Sequence, residues 1–520
     1  MHDSSASHDA HKYNNVYKSH ELSNTILQHN TTTVSDCDQN HEIEIAMNSN
    51  LHILFFPFMA PGHMNPMVDM AKLFSLRGVT TTLVTTPANA HLISINHPPI
   101  NLTLIPFPSA EVGLPIGCEN MTSITSTAMR APFMQALAML RQPFDQVLKE
   151  LRPDAIVTDS FLPWTFHAAS ELGIPRLVFH GTSFFALCAA DTVDDYSPHS
   201  KQEESFTLHG FPHQIQLFKS QIPDIQKSHS GLVGILQEVK ELEAKNYGVL
   251  VNSFYELEPE YADHYRKVMG RRAWHVGPVS LWNGGAGVQE QDGDDECLKW
   301  LDNKEPNSVL YVCFGSLCRF TGAQLKEIAL GLESSNQGFI WVVRKLAAGN
   351  EEEEEEEWLP EGYEERIEGR GLMIRGWAPQ KLILNHEALG GFLTHCGWNS
   401  TVEGVSAGVR MITWPIFADQ FYNEKLVVDV LKIGVSVGVK EYGKGQYFAE
   451  SLGIMGVVDK EEIQKAVVRV MAGGEEAEEM RVRVKRLKEM AKMAVVEGGS
   501  SYEDMGSLIQ LLIENKNISI

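Results

Sequence analysis

The chain has 520 residues, 43% of them apolar, enough to bury a large core and to fill two domains rather than one. A formal net charge of -24 argues against non-specific attraction to nucleic acid or anionic lipid, because a polyanion repels polyanions. Seven cysteines at irregular spacings, with Cys313 and Cys318 too far apart for a CxxC, point to reduced thiols rather than a disulfide framework or a structural zinc site.

Residues 1–46 are rich in His, Ser, Asn, Asp and Thr. They carry too few large apolar side chains to repay their own ordering entropy, which predicts a disordered extension whose histidines are solvated filler. Met47 reads as the start of the folded unit. No cationic and apolar signal pattern precedes it, and no apolar run approaches the roughly 18–20 residues of a spanning helix. The expectation is a soluble, cytoplasmic protein without an integral membrane segment.

From Leu51 the pattern alternates. LHILFFPF reads as a buried strand. MNPMVDMAKLFSLRG places Met67, Met70, Ala71 and Phe74 at i, i+3, i+4 and i+7, an amphipathic helix closed by Gly78, and VTTTLVTT is the next strand. DAIVTD, PWTFHAASELG and PRLVFH repeat the syntax, and YGVLVNSF adds a strand, so residues 47–281 read as a parallel sheet flanked by helices.

The Gly-, Asn-, Asp- and Gln-rich stretch at 282–296 reads as a linker. A second alternating series, VLYVCFG, GFIWVVR, GLMIRGW, GGFLTH and RMITWP, fills 297–499, with helical patterns such as GAQLKEIALGLE and NEKLVVDVLKIG between its strands. The run Glu351–Glu357 repels itself and reads as a solvated loop. Residues 500–520 form a last helix that can pack back on the first domain. The predicted fold is α/β, with two Rossmann-like, doubly wound domains facing a cleft. Ligands of such sheets bind at the carboxyl ends of the strands.

One stretch at such an edge is dense in chemistry. In GGFLTHCGWNSTVEG, Gly390 to Gly404, a strand gives way to a helix and places His395, Trp398, Asn399, Ser400 and Glu403 at the turn. Free amides and the positive end of a helix dipole at such a turn suit a phosphate or diphosphate. Ser400 and Glu403 also spell a capping box, which explains both without a ligand. Capping requires neither His395 nor Trp398. Upstream, Trp377 in GWAPQ ends another strand, where an indole face can stack on a flat base. Downstream, Asp419 and Gln420 in WPIFADQ carry oxygens and an amide able to read hydroxyls in a bidentate manner.

On the other half, APGHMNP places His63 just before a helix whose N-terminal dipole favours a neutral imidazole, the state a general base requires. Asp159, ending DAIVTD, reads equally as its hydrogen-bonded partner or as the N-cap of the helix PWTFHAASELG.

The segment from Trp377 to Gln420, WAPQKLILNHEALGGFLTHCGWNSTVEGVSAGVRMITWPIFADQ, resembles the full donor-binding signature of plant family 1 UDP-glycosyltransferases. The similarity extends over most of the chain from about Leu51, through FFPFMAPGHMNPMVDMAKLF, TDSFLPW, VNSFYELE, HVGPVSL and SVLYVCFGSL. The resemblance implies a GT-B fold and a donor site in which Trp377 stacks on uracil, within its WAPQ segment with Ala378. Gln380 would lie near base and ribose, and Glu403 would hold the ribose hydroxyls. It implies that His395, Asn399, Ser400 and Ser316 meet the diphosphate, and that Trp398, Asp419 and Gln420 contact the sugar. Gln at that last position is typical of glucose users, so UDP-glucose is the implied co-substrate.

His63 would deprotonate an acceptor hydroxyl, with Asp159 orienting it, in an inverting displacement that gives a β-glucoside. No cofactor and no metal are implied by the resemblance. The acceptor would be a hydrophobic small molecule, such as a flavonoid, another phenolic, a terpenoid or a steroid-like compound. It would be lined by PSAEVGLPIGCENMTS, HGTSFFALCAA and the Phe206–Pro223 loops, in a monomer. Arg410 departs from the family, which usually has Pro after Gly-Val; a surface position is expected for it.

Two other readings compete. A dinucleotide oxidoreductase would need a GxGxxG that FPFMAPGHMNP lacks. A non-catalytic UDP-sugar sensor would share the donor residues without needing His63 and Asp159. GVKEYGKG, Gly438 to Gly445, imitates a P-loop but has Gly445 in place of the magnesium-binding Ser or Thr.

Overall fold

The computed structural model describes residues 50–93, 99–222, 232–282, 294–343, 358–442 and 456–519. The 1–46 extension, most of the 282–296 linker, the Glu351–Glu357 run and the last residues of the Gly438–Gly445 stretch lie outside them.

The first sheet grows from β1 (His52–Phe56), whose last four residues are buried on both faces, as a central parallel strand requires. Helix α1 (Pro61–Leu76) follows, started by a proline whose missing N–H costs nothing in a first turn. Met67, Met70, Ala71 and Phe74 form its fully buried stripe. β2 (Thr80–Thr85) and β3 (Asn101–Leu104) extend one side of the sheet. β4 (Ala155–Asp159) and β5 (Arg176–Phe179) extend the other.

Helix α2 (Phe184–Tyr196) and a small hairpin, β6 (Ser205–Thr207) with β7 (Gln216–Phe218), precede β8 (Gly248–Val251) and β9 (Ala273–His275). The sheet order is β3-β2-β1-β4-β5-β8-β9, and every pairing within it is parallel. The short edge strand β3 and the hairpin carried no clear sequence period and were not predicted.

The second sheet repeats the plan. Its strands are β10 (Val309–Cys313), β11 (Gly338–Val343), β12 (Gly371–Arg375), β13 (Leu389–Thr394), β14 (Arg410–Thr413) and β15 (Gly434–Ser436). They lie in the order β12-β11-β10-β13-β14-β15, again all parallel. In both sheets the strand order reverses beside the first strand, between β1 and β4 and between β10 and β13. Crevices outside the carboxyl ends of such strands are where doubly wound sheets bind ligands.

Three short helices shape the second crevice: α3 (Gln380–Asn385), α4 (Trp398–Ala407) and α5 (Gln420–Lys425). The long helix α6 (Glu475–Ala494) leads into α7 (Ser500–Ser519), which returns to the first domain. There Met505, Leu508, Ile509, Leu512 and Ile513 are buried with Leu51, Phe74 and Trp274. At about 1.5–3 kcal/mol for each buried side chain, this is a substantial fastening of one domain to the other. Lys516 adds a hydrogen bond of 2.9 Å to the Asn50 carbonyl. No disulfide joins the six described cysteines, and no helix among the described residues is long and apolar enough to cross a membrane.

Candidate active site

His63 lies in the first turn of α1, immediately beyond β1, and Asp159 is the last residue of β4, so the first switch point brings them together. Nδ1 of His63 is 2.7 Å from Oδ2 of Asp159, whose side chain is fully buried. The other carboxylate oxygen accepts the Phe161 amide at 3.0 Å. Of the two readings of Asp159, the N-cap falls away, because that helix has Pro163 at its N-cap; Asp159 holds the turn and the imidazole at once. Burial disfavours the charged imidazole, but Asp159 and then Asp419 outweigh it and raise the His63 pKa from its ordinary value. The expectation of a dipole-depressed pKa is therefore corrected: at this helix start two carboxylates dominate the electrostatics. With Nδ1 engaged, Nε2 is the ring nitrogen available to a substrate.

The surroundings of His63 are aromatic. Phe58 and Phe161 stand edge-on to the ring at 5.4 and 5.5 Å. Most of the rings expected to line an acceptor are spent elsewhere. Phe184 and Phe185 are fully buried against Tyr265 and Tyr261, and Phe206 stacks on Tyr196 at 4.9 Å. The 108–123 segment instead covers the approach to α1, with Met121 N donating to Met59 O at 2.8 Å.

At the second switch point Ser316 lies in the turn after β10, and His395 follows β13. The His395 imidazole is wedged between two glycines. A Cβ added at Gly315 or Gly397 would lie 2.6 or 2.4 Å from its Nε2, closer than any real Cβ contact. Burial pushes the His395 pKa down to about 4, so the ring is neutral at pH 7, and its buried Nδ1 has no hydrogen-bond partner among the described residues.

Cys396, at φ 63, turns the chain sharply into α4. Gly397 is the N-cap and offers no side-chain cap, and the first bond across the turn is Thr401 N to Gly397 O. The amides of residues 398–400 thus begin the helix without intrahelical partners. Since the cap lies at Gly397, Ser400 and Glu403 do not form the capping box that their spacing spells.

What holds them instead is Gln380, at the start of α3. Its Nε2 donates to Ser400 Oγ at 3.2 Å and to Glu403 Oε2 at 2.7 Å. Burial raises the Glu403 pKa against the opposing pull of Lys381 and Gln380. Ala378 is buried, but Trp377 beside it is 54% exposed, an unusual state for an indole.

The two tryptophans of the signature have opposite fates. Trp398 is 2% exposed, and its Nε1 donates to Asn252 O in the first domain at 2.8 Å. With its single side-chain donor committed and its ring buried, Trp398, expected to contact the sugar, joins the two domains through this side chain. Asn399 donates Nδ2 to Gly62 O at 2.5 Å, tying α4 to the loop that carries His63.

Gln420 is also partly committed. Its Oε1 accepts the amides of Ile416 and Phe417 at 2.8 and 3.0 Å, which fixes the carboxamide orientation and leaves only Nε2. Of the oxygens and amide that Asp419 and Gln420 were expected to offer together, Gln420 thus contributes its amide. Asp419 accepts Asn423 Nδ2 at 2.8 Å and the hydroxyl of Thr182, a residue of the loop before α2. Sequence reading placed Thr182 only within an apolar lining, so this contact across the domains was missed. Burial raises the Asp419 pKa.

Arg410 is not at the surface. It is 6% exposed and donates Nε and Nη2 to Gly390 O at 3.1 and 2.9 Å, at the amino end of β14 and hence at the opposite edge of the sheet from the crevice. Among the described residues no three His, Cys, Asp or Glu side chains gather as a metal site.

One switch point thus holds an imidazole hydrogen-bonded to a buried carboxylate, and the other an amide-rich helix start beside an exposed indole. The family model described as "UDP-glucoronosyl and UDP-glucosyl transferase" matches residues 275–446. The chain is 51% identical to UDP-glucose flavonoid 3-O-glucosyltransferase 7 of Fragaria ananassa, over 88% of this chain and 95% of the relative. It is 48% identical to scopoletin glucosyltransferase of Nicotiana tabacum, over 88% and 97%. A crystal structure of Glycyrrhiza uralensis UGT73P12, complexed with glycyrrhetinic acid 3-O-monoglucuronide, superposes with a TM-score of 0.82 at 42% identity, covering 90% of this chain and 97% of that one. The chain belongs to the plant family 1 UDP-glycosyltransferases, and its two parallel-sheet domains are the GT-B fold. It is a UDP-glycosyltransferase enzyme.

Proposed function

We propose that this enzyme transfers glucose from UDP-glucose to a hydroxyl of a hydrophobic small molecule by a single inverting displacement. The observation that carries the reading is the His63 to Asp159 hydrogen bond of 2.7 Å at the crevice edge, on the domain opposite the helix start. His63 Nε2 takes the acceptor proton while Asp159 orients the ring and stabilises the imidazolium. The acceptor oxygen attacks the anomeric carbon from the face opposite the leaving group, giving a β-glucoside. UDP departs toward the amides of residues 398–400, Ser316, His395, Asn399 and Ser400, fixed donors that need no reorganisation as charge develops. No resident metal takes part.

Trp377 stacks on uracil, Gln380 and Glu403 hold the ribose, and Asp419 with Gln420 Nε2 reads the sugar. The relatives named for a flavonoid and for scopoletin favour a phenolic acceptor, and Phe58 and Phe161 supply an apolar wall for it. A protein working as a monomer in the cytoplasm fits this chemistry. The test is an acceptor screen read by mass spectrometry with UDP-glucose, UDP-galactose and UDP-glucuronate side by side. Preferred glucose transfer to a phenol is expected, and UDP-sugar binding with no product from any acceptor would overturn the assignment in favour of a sensor.

A further inference from the structure

One ion pair joins the two domains beside the site and has no part in the chemistry above. Asp69 lies on α1, the helix that carries His63, and Lys381 lies on α3, next to Gln380. Their charged groups meet at 3.0 Å across a separation of 312 residues. Lys72, one turn beyond Asp69 and only 5% exposed, has its pKa lowered by burial against the opposing charge of Asp69. Burial lowers the Lys381 pKa, while the charges of Asp69 and then Glu403 raise it and prevail. Gln380, the residue before Lys381 on α3, donates to both Glu403 and Ser400, so the helix end that carries Lys381 also holds Glu403.

Lys381 is 37% exposed and Asp69 16%, and in a part-buried pair the cost of desolvation offsets much of the attraction, so its net contribution to stability is small. Its geometry is more telling. Each end is fixed to a rigid helix that also carries a reacting or donor-holding group, and a displacement of about 1 Å between reactants can cost roughly 100-fold in rate.

We propose that Asp69 and Lys381 are a positioning pair that sets the placement of His63 relative to the donor sugar, acting through α1 on one side and through α3 and Glu403 on the other. This rests on the assignment of His63 as base and Glu403 as ribose ligand. Neither residue touches the reacting atoms, so the signature is kinetic.

The experiment compares the full-length enzyme with Asp69→Asn, Lys381→Met, the double variant and Lys381→Arg. It uses UDP-glucose and a phenol already shown to be glucosylated, with UDP affinity measured by calorimetry and the unfolding midpoint by scanning calorimetry. Each single loss is expected to lower kcat about 5- to 10-fold, with acceptor KM and UDP affinity within about twofold. The double variant should fall no further than either single one, since both remove the same interaction, and Lys381→Arg should recover most of the rate.

Additive losses, or rates that follow the unfolding midpoint, would overturn the pairing. So would an inert Asp69→Asn beside a Lys381→Met that weakens UDP binding, which would make the lysine a donor ligand. Failure of the underlying assignment is seen separately, as unchanged turnover in His63→Ala.

Discussion

At the first switch point the polar groups satisfy one another: Asp159 is fully buried, with one oxygen on His63 and the other on the Phe161 amide. At the second, three helix-start amides lack intrahelical partners and the buried His395 Nδ1 has no hydrogen-bond partner among the described residues. The same strand order thus supports two strategies. Proton chemistry needs a preset geometry, so its groups are locked by the protein alone. Binding an anionic leaving group needs unspent donors, and an orphaned buried nitrogen costs roughly 1–3 kcal/mol until a ligand meets it.

The sharpest way to separate the two regions is His63→Ala. Turnover should fall about 100-fold or more while UDP affinity stays near the wild-type value, because the imidazole acts only in the transition state. Single-turnover rates and UDP calorimetry check both halves; a parallel loss of affinity would merge the regions into one site.

Asp159→Asn should cost about 10- to 100-fold at its pH plateau through loss of ring orientation. It should also move the pH profile in a set direction. Rate rises as the base loses its proton, and Asp159 is the main influence raising the His63 pKa. Removing that charge lowers the pKa, so the acidic limb of kcat/KM should shift to lower pH. A shift upward would mean that the limb reports another group.

On the donor side the two tryptophans test which indole meets ligand. Trp377→Ala should weaken UDP binding about 10-fold, as loss of one stacked base does, with folding stability changed by less than about 0.5 kcal/mol. Trp398→Ala should instead cost about 3–5 kcal/mol of stability, because it empties a packed contact between domains. Denaturant unfolding beside UDP titration distinguishes them, and the reverse pattern would exchange their roles.

The contrast between Trp377 and Trp398 also marks how far the sequence could be read. Apolar runs and helical periods located most strands of both sheets, and hence the carboxyl edge where His63, Asp159, His395 and Asp419 gather. Period and propensity constrain backbone and faces, so α1 was legible down to Met67, Met70, Ala71 and Phe74. They do not say which atoms remain unspent. Ser400 and Glu403 spell a capping box only until the cap is seen at Gly397, and Gln420 offers two polar atoms until backbone amides claim one. Contacts such as Asp69 with Lys381 or Thr182 with Asp419 join residues hundreds of positions apart, and no local pattern encodes them.

The smallest effect is expected at Arg410. Arg410 replaces the usual proline at the start of β14, yet its guanidinium is turned to Gly390 O at the end of the sheet away from the crevice. Burial lowers its pKa, and the two hydrogen bonds to that carbonyl offset part of what burying it costs. Arg410→Met keeps the apolar stem, removes those bonds and leaves the carboxyl edge untouched. Stability should drop by about 1 kcal/mol, with kcat/KM for glucose transfer within about twofold. A larger kinetic loss at unchanged stability would show that strain at the amino end of β14 is transmitted along four residues to Thr413 and on to Asp419, making the two ends of this sheet less independent than the geometry implies.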